Sequence, residues 1–241
     1  MKIYIVTVCL NANEALRATI DSISALRTGD VYYLVVDGNS SDGTKETLFG
    51  AGRRVDQWVS EPDHGIYDAM NKAISLLPSE EGHVLFLGAG DRLLALPASR
   101  QREERAVLFG NVQIGDTIFH SSVGWKLRLG NTLHHQGLFV PKSLLASARF
   151  DVRFKTFADF DLNQRLFRAK ISFRALNTTI AFAHPGGLTS GGVIWRGPIF
   201  EMLDITRKNY GIFWKLAARI WRVLWELCQR LPGRNRKSRN V

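Results

Sequence analysis

Two hydrophobic periods alternate along the first hundred residues. Ile3 to Cys9 is an unbroken apolar and β-branched run, which predicts a strand buried on both faces. From Asn13 to Leu26 apolar residues recur at Leu16, Ile20 and Ile23, the spacing of one helix face. Val31 to Val36 returns to the strand pattern, and a second helix follows Asp42-Gly43-Thr44. A short strand at Gln57-Trp58-Val59, a helix from about Ile66 to Leu77 and a fourth apolar run from His83 to Leu87 complete the series. Strands alternating with helices predict a mostly parallel sheet with right-handed crossovers. Ligands of such sheets bind beyond the carboxyl ends of the strands, where the strand order reverses, so the polar residues just after each strand matter most.

The pattern then changes. Ala106 to Val123 holds shorter β-like runs, followed by a run from Leu133 to Val140, a helix from about Asp159 to Ala169 and a strand-like stretch from Ile171 to Ala183. No Pro/Ser-rich linker and no internal repeat interrupts the chain, so one body to about residue 190 with a helical C-terminal appendage is expected.

Composition narrows the classes. With 241 residues, 45% hydrophobic and 22% charged, the chain is a folded protein and far from the signature of disorder. Its N-terminus enters a strand pattern at once, without the features of a signal peptide, and no apolar run approaches the roughly 20 residues a spanning helix needs. Cys9 and Cys228 give neither metal spacing nor a disulfide framework, and a reducing cytosol is expected.

The net charge of +10 is distributed unevenly. Ile205 to Val241 carries ten basic residues and the single acid Glu226, whereas Met1 to Asp204 holds 22 basic and 21 acidic residues. Lys215, Arg219, Arg222 and Glu226 form one helical stripe. Phe213, Trp214, Leu216, Ile220, Trp221, Val223, Leu224, Trp225 and Leu227 make an apolar face wider than core packing requires. A basic stripe flanked by three tryptophans is the pattern of a helix lying in an anionic membrane interface; the alternative is a helix packed on its own domain. Nucleic acid is disfavoured, because the body has no matching basic face.

The loop after the first strand, Cys9-Leu10-Asn11-Ala12-Asn13, lacks glycine, which removes both the dinucleotide-binding fingerprint and the Gly-Lys-Ser/Thr loop. A nucleotide diphosphate bound here needs other neutralisation, and a divalent cation held by carboxylates supplies it. Asp37 closes the second strand and Asp91 follows the fourth. Between them lies the polar block Ser60-Glu61-Pro62-Asp63-His64-Gly65-Ile66-Tyr67-Asp68-Ala69-Met70-Asn71-Lys72. Each acid alone can be a turn or helix-cap residue, the favoured reading for Asp42; three acidic strand ends on one edge point to a site.

In this order the motifs resemble the family 2 glycosyltransferases of the GT-A fold, and among them the bacterial exopolysaccharide and O-antigen transferases, including the colanic-acid type. The resemblance runs from Ile3 to about Ser190. It is carried by Thr7-Val8 with Asn11, the Val35 to Thr44 segment, the Ser60 to Lys72 block, His135-Gln136, Ala158-Asp159-Phe160-Asp161-Leu162 and Gly186-Gly187. It implies an α/β GT-A fold, a Rossmann-like, mostly parallel sheet flanked by helices over 1–190, to which the charge and tryptophan pattern of the tail adds an expected amphipathic, membrane-associating helical extension over 191–241.

The resemblance also assigns roles. Thr7 and Asp37 match positions lining the base and ribose of a nucleotide sugar, and Asn11 stands with them. Asp63, Gly65, Asp68 and Asn71 match positions completing the donor pocket. Asp91 matches the last acid of the metal motif, with Gly90 where many members have a first Asp, and the implied cofactor is Mg2+ or Mn2+. Asp159 matches the catalytic base, with a helix N-cap as the alternative. Asp161 is read as a helix-dipole or neighbour-holding acid. His135, with Gln136, is open between an acceptor or phosphate contact and a core role; His184 is a further candidate for the diphosphate or metal. His134 has no assigned role.

The implied function is inverting, metal-dependent transfer of a sugar from a nucleotide-diphosphate sugar to a polyprenyl-linked glycan for bacterial surface polysaccharide synthesis, at the cytoplasmic face of an anionic membrane. Competing readings are a catalytically degenerate domain serving as a membrane-bound assembly partner, and nucleotidyl transfer, whose Gly-rich basic loop the chain lacks.

Overall fold

A strand covered on both faces reads as a nearly continuous apolar run, and β1 (Lys2–Cys9) does so apart from Lys2 at its start and the buried Thr7. Tyr4, Val6 and Val8 enter one core cluster, while Ile3, Ile5 and Cys9 enter the other. In this computed structural model, which describes residues 1–102, 105–184 and 196–230 with side chains of the last stretch placed from 199 to 224, α1 (Asn13–Leu26) covers the second cluster. Its Leu16, Ile20 and Ile23 are buried; truncating one such side chain to Ala costs about 2–5 kcal/mol. On the opposite face α3 (Ile66–Leu76) inserts Met70, Ala73 and Ile74.

The remaining elements of the first half follow the predicted alternation. They are β2 (Val31–Asp37), α2 (Thr44–Gly50), β3 (Gln57–Ser60) and β4 (Gly82–Gly88). The second half contributes β5 (Arg92–Leu93), β6 (Ala106–Ile114), β7 (Thr117–Phe119), β8 (Leu138–Pro141) and β9 (Ser172–Ala183). Its helices are α4 (Lys142–Ser147), α5 (Ala158–Arg168), α6 (Arg196–Tyr210) and α7 (Ile212–Arg230).

The strands join in the order β3-β2-β1-β4-β8-β6-β9-β5, with β7 paired to β6. β3, β2, β1 and β4 are mutually parallel, β8 runs antiparallel to β4 and β6, and β6 pairs parallel with β9. The sheet is therefore parallel in its first half, as expected, and mixed in its second. Order reverses between β1 and β4, and the register Cys9↔Asp37, Val8↔Gly88 and Asp37↔Ser60 brings the carboxyl ends of four strands to one edge.

Three local features depart from the sequence pattern. Leu133 to Val140 is not one strand: residues 135–137 form a 3-10 turn and β8 begins at Leu138. α4 was not anticipated, since six residues carry little periodicity. The β6–β9 ladder shifts register around Gly110, where an added Cβ would stand 2.5 Å from the Ile180 side chain and 2.7 Å from the Thr178 carbonyl oxygen.

The body also extends past residue 190. Ile205 of α6 belongs to the same core cluster as Phe160 and Leu162 of α5. Asp161, fully buried, accepts hydrogen bonds from Arg165 (2.8 Å), Lys208 (2.8 Å) and Asn209 (3.0 Å), so it ties α6 to α5. That fulfils the neighbour-holding reading of Asp161. Only α7 projects. Its Trp214 lies over Arg128 at 4.8 Å and its Trp221 meets Trp125 edge-on at 5.7 Å, so these two tryptophans pack on the body. Ile212, Phe213, Leu216, Ile220, Val223 and Leu224 remain exposed. The Trp225 and Leu227 side chains and Gly186-Gly187 lie outside the described residues. No helix among the described residues is long and apolar enough to cross a membrane.

Candidate active site

The first strand edge is built from groups that satisfy one another. Asp37, fully buried, accepts from the Ser40 amide (3.0 Å), the Ser60 hydroxyl (2.6 Å) and the Ser40 hydroxyl, with the Cys9 thiol at 3.8 Å. Burial and the adjacent Asp37 push the Cys9 thiol up, so it stays protonated. Thr7 is equally buried and accepts the Tyr33 hydroxyl at 3.0 Å. Both Thr7 and Asp37 lie beneath the surface of this edge, their side-chain oxygens engaged by neighbouring groups of the protein. Asn11, exposed at φ 48°, caps the Ser41 amide with its side chain (3.0 Å). Asp42 fills the turn role, accepting the Asn13 and Thr44 amides at 3.0 and 3.1 Å.

The loop from β3 into α3 closes over this edge. Asp63 caps the Gly65 amide (2.8 Å), and a Cβ on Gly38 would stand 2.5 Å from the Asp63 carboxylate, so the two loops meet only because Gly38 has none. Gly65 opens α3 at φ 117°, and Asp68 accepts the His64 amide (3.0 Å). Asn71 does not face the pocket. Its amide both donates to and accepts from the Phe150 backbone (2.9 and 3.0 Å), which uses it as a clamp.

Beyond β4, Asp91 is buried and turned inward. It accepts the Gly88 amide (2.6 Å) and the Gln136 side chain at Oδ2, and the His184 amide (2.9 Å) at Oδ1. Gly90 sits at φ 99°, a conformation that favours glycine over the acid expected there. A cavity of about 400 Å3 beside it is lined by Glu14, Arg92 and His184 among others. Among the described residues no three His, Cys, Asp or Glu side chains gather to hold a metal. A divalent cation nevertheless fits the donor chemistry. The Gln136 Oε1 is buried without a hydrogen-bond partner next to Asp91, and these are two hard oxygen donors that leave other positions for phosphate and water.

The second carboxylate centre lies at the start of α5. Asp159 stands in the first turn, where the helix dipole favours its charge. It is not the N-cap. His135 Nδ1 approaches its Oδ2 at 3.5 Å, Asn131 donates to the same oxygen at 3.3 Å, and the Tyr67 hydroxyl donates to Oδ1 at 3.3 Å. Burial alone would raise the Asp159 carboxyl, but the hydrogen bond and charge of His135 outweigh it and hold the group below the usual range. His135 answers in kind: burial would lower its imidazole, and Asp159 raises it overall. Its side chain is 30% open, so it is reachable, not a sealed core histidine. His134, stacked on His135 at 5.2 Å, is held down to about 3 by burial and by the neighbouring His135 charge, and is neutral. Burial, then Asp159, keeps Tyr67 protonated and so a donor.

Sequence reasoning missed the supports of this centre. Tyr67 lies inside the recognised block yet reaches residue 159, and its hydroxyl also donates to the Thr156 carbonyl oxygen (2.7 Å). Glu201 of α6 accepts three successive backbone amides, from Lys155 (3.1 Å), Thr156 (2.9 Å) and Phe157 (2.7 Å). Those residues lead directly into Asp159. Nothing in local periodicity signals either contact.

No family model matches the chain. A PGL/p-HBAD biosynthesis glycosyltransferase of Mycobacterium tuberculosis is 30% identical over 172 residues, which are 66% of this chain and 66% of that relative, just short of two thirds of its length. Among solved structures, TarS of S. aureus in complex with UDP-GlcNAc superposes with a TM-score of 0.62 at 14% identity, covering 85% of this chain and 65% of that one. Glucosyl-3-phosphoglycerate synthase from Mycobacterium tuberculosis, in complex with Mn2+, UDP and glucosyl-3-phosphoglycerate, gives a TM-score of 0.58 at 18% identity, covering 85% of this chain and 80% of that one. The fold is that of the GT-A glycosyltransferases. The sequence is similar to named glycosyltransferases, and the fold fits family 2 of that class.

Proposed function

We propose that the chain transfers a sugar, with inversion, from a nucleotide-diphosphate sugar to a hydroxyl of a polyprenyl-linked glycan in bacterial surface polysaccharide synthesis, of which O-antigen assembly is one form. The observation that carries this reading is Asp159, ionised and held by His135, Tyr67 and Asn131 on the side of the sheet where Asp91 and Gln136 sit. Asp159 takes the proton of the acceptor hydroxyl as that oxygen bonds to the anomeric carbon, and the bond from that carbon to the diphosphate breaks. The nucleoside diphosphate leaves. Asp91 and Gln136 would hold Mg2+ or Mn2+, which, when bound, neutralises charge on the leaving diphosphate. Asn11, Asp63, Gly65 and Asp68 form the open rim for the donor, while Thr7, Asp37 and Asn71 set the rim from beneath.

The exposed apolar face of α7, with Lys215, Arg219 and Arg222 along it, supports peripheral attachment to the cytoplasmic face of an anionic membrane. Removing 212–241 should abolish sedimentation with phosphatidylglycerol vesicles; unchanged sedimentation defeats the attachment.

Transfer is tested with a panel of nucleotide-diphosphate sugars, a lipid-linked glycan and Mn2+. Wild-type rates retained by both Asp159→Asn and Asp91→Ala would overturn the mechanism. The saturated hydrogen bonding of Asp91 favours one competitor, a non-catalytic assembly partner. Absence of both donor hydrolysis and transfer across the panel selects it.

A further inference from the structure

One cavity of the described residues lies away from Asp159. About 670 Å3 in volume, it opens at the other end of α5, between the starts of β6 and β9 and the α6–α7 junction. Arg128, Arg168 and Lys170 line it together with Phe167, Phe173 and Tyr210. The sequence reading gave none of these residues a role.

Its electrostatics are unbalanced. Arg168 donates to the Asn209 carbonyl oxygen (3.2 Å), and among the described residues no carboxylate pairs with any of the three cations. Arg128 is stacked instead, its guanidinium carbon 4.8 Å from the Trp214 ring centre, 5.5 Å from Tyr210 and 5.9 Å from Phe167. Its Nε is buried without a hydrogen-bond partner. A guanidinium fixed by aromatic faces keeps its planar donor edge for an anion, and phosphate matches that fork. The same rings offer apolar walls, and the volume is that of a pocket for a medium-sized ligand.

Position adds a second constraint. Tyr210 closes α6, and the exposed Ile212, Phe213 and Leu216 of α7 begin two residues later. A ligand entering beside them comes from the layer on which that apolar face would rest.

We propose that this cavity binds the phosphate-bearing head of an isoprenoid lipid, the carrier end of the acceptor, with the phosphate on Arg128, Arg168 and Lys170 and the first isoprene units against the aromatic rings. The assignment of the lipid as acceptor rests on the function proposed above. Asp159 and Arg168 lie nine residues apart on α5, about 14 Å along the helix axis. The phosphate and the reacting hydroxyl are therefore separated by a short glycan, so the enzyme extends an existing chain and does not load the first sugar.

The test measures binding of farnesyl phosphate, inorganic phosphate and farnesol to the full chain by quenching of tryptophan fluorescence, Trp214 being in contact with Arg128. Farnesyl phosphate should bind at least tenfold more tightly than either fragment. Lys170→Glu, at an exposed position, and Ala175→Phe, which fills the cavity, should each weaken it at least tenfold. Equal binding of inorganic phosphate reduces the site to a free-anion site, equal binding of farnesol removes the role of the cations, and wild-type affinity in both variants removes the cavity; each overturns the proposal. Transfer to a lipid-linked glycan with unchanged acceptor KM in Lys170→Glu overturns this site while leaving the proposed reaction intact. Farnesyl phosphate binding lost in both variants, without transfer to any lipid-linked glycan, supports the site and defeats the acceptor assignment.

Discussion

Asp37 and Asp159 are both buried acids, yet the molecule holds them in opposite ways. Asp37 ends a strand and is fixed by a backbone amide and two serine hydroxyls supplied by its own and the adjoining loop. Asp159 begins a helix and is surrounded by three side chains from two distant segments, one of them a titrating imidazole. An acid satisfied by fixed donors is part of the scaffold. An acid satisfied by groups that can exchange partners with a bound hydroxyl is available for proton transfer.

Four variants break or sharpen this contrast. Asp159→Asn should lower the transfer rate by about 10^3-fold, within the range for loss of a positioned base, with little change in melting temperature; single-turnover kinetics reads the first and calorimetry the second. Asp37→Ala should do the reverse. Leaving buried donors without an acceptor costs about 2–3 kcal/mol, read as a fall of several degrees in melting temperature, while the rate per folded molecule stays within tenfold. A large rise in donor KM without loss of stability would instead make Asp37 a ligand contact. Glu201→Gln should lower kcat about tenfold at constant donor KM, because a looser 155–157 loop misplaces the base; Glu201→Asp should recover part of it.

The smallest effect is one of pH. A histidine raised in the folded state stabilises fully below its ordinary value near 6.5, and that stabilisation fades as pH rises through the raised value. An acid lowered in the folded state stabilises above its ordinary value near 3.8 and loses this as pH falls. The melting temperature difference between wild type and His135→Asn should thus be greatest between about pH 4 and 6.5 and shrink above it. A difference that grows toward alkaline pH would mean the pair is not ionic.

Legibility in the sequence follows the range of the interactions. β1, α1 and β2 were predicted to within a residue, because continuous burial and helical spacing are properties of adjacent positions. Asp91 and Asp159 were found as motif residues. Their surroundings were not: Gln136 meets Asp91 across 45 residues, Tyr67 meets Asp159 across 92 and Glu201 meets Thr156 across 45. The contact of Asn71 was hidden for the same reason. Residue type marks it as polar, and only the fold shows its amide spent on Phe150.

The strand order has a consequence for synthesis of the chain. β4 is central in the finished sheet, with Val84 and Leu85 fully buried, but β8, which covers its outer edge, begins some fifty residues after β4 ends. At about 5–20 residues per second a ribosome needs roughly 2.5–10 s to supply it. Throughout that interval the nascent parallel half presents an apolar edge able to pair with another chain. The order that places the base beside the donor edge therefore leaves one definable stage of translation at which that edge is uncovered.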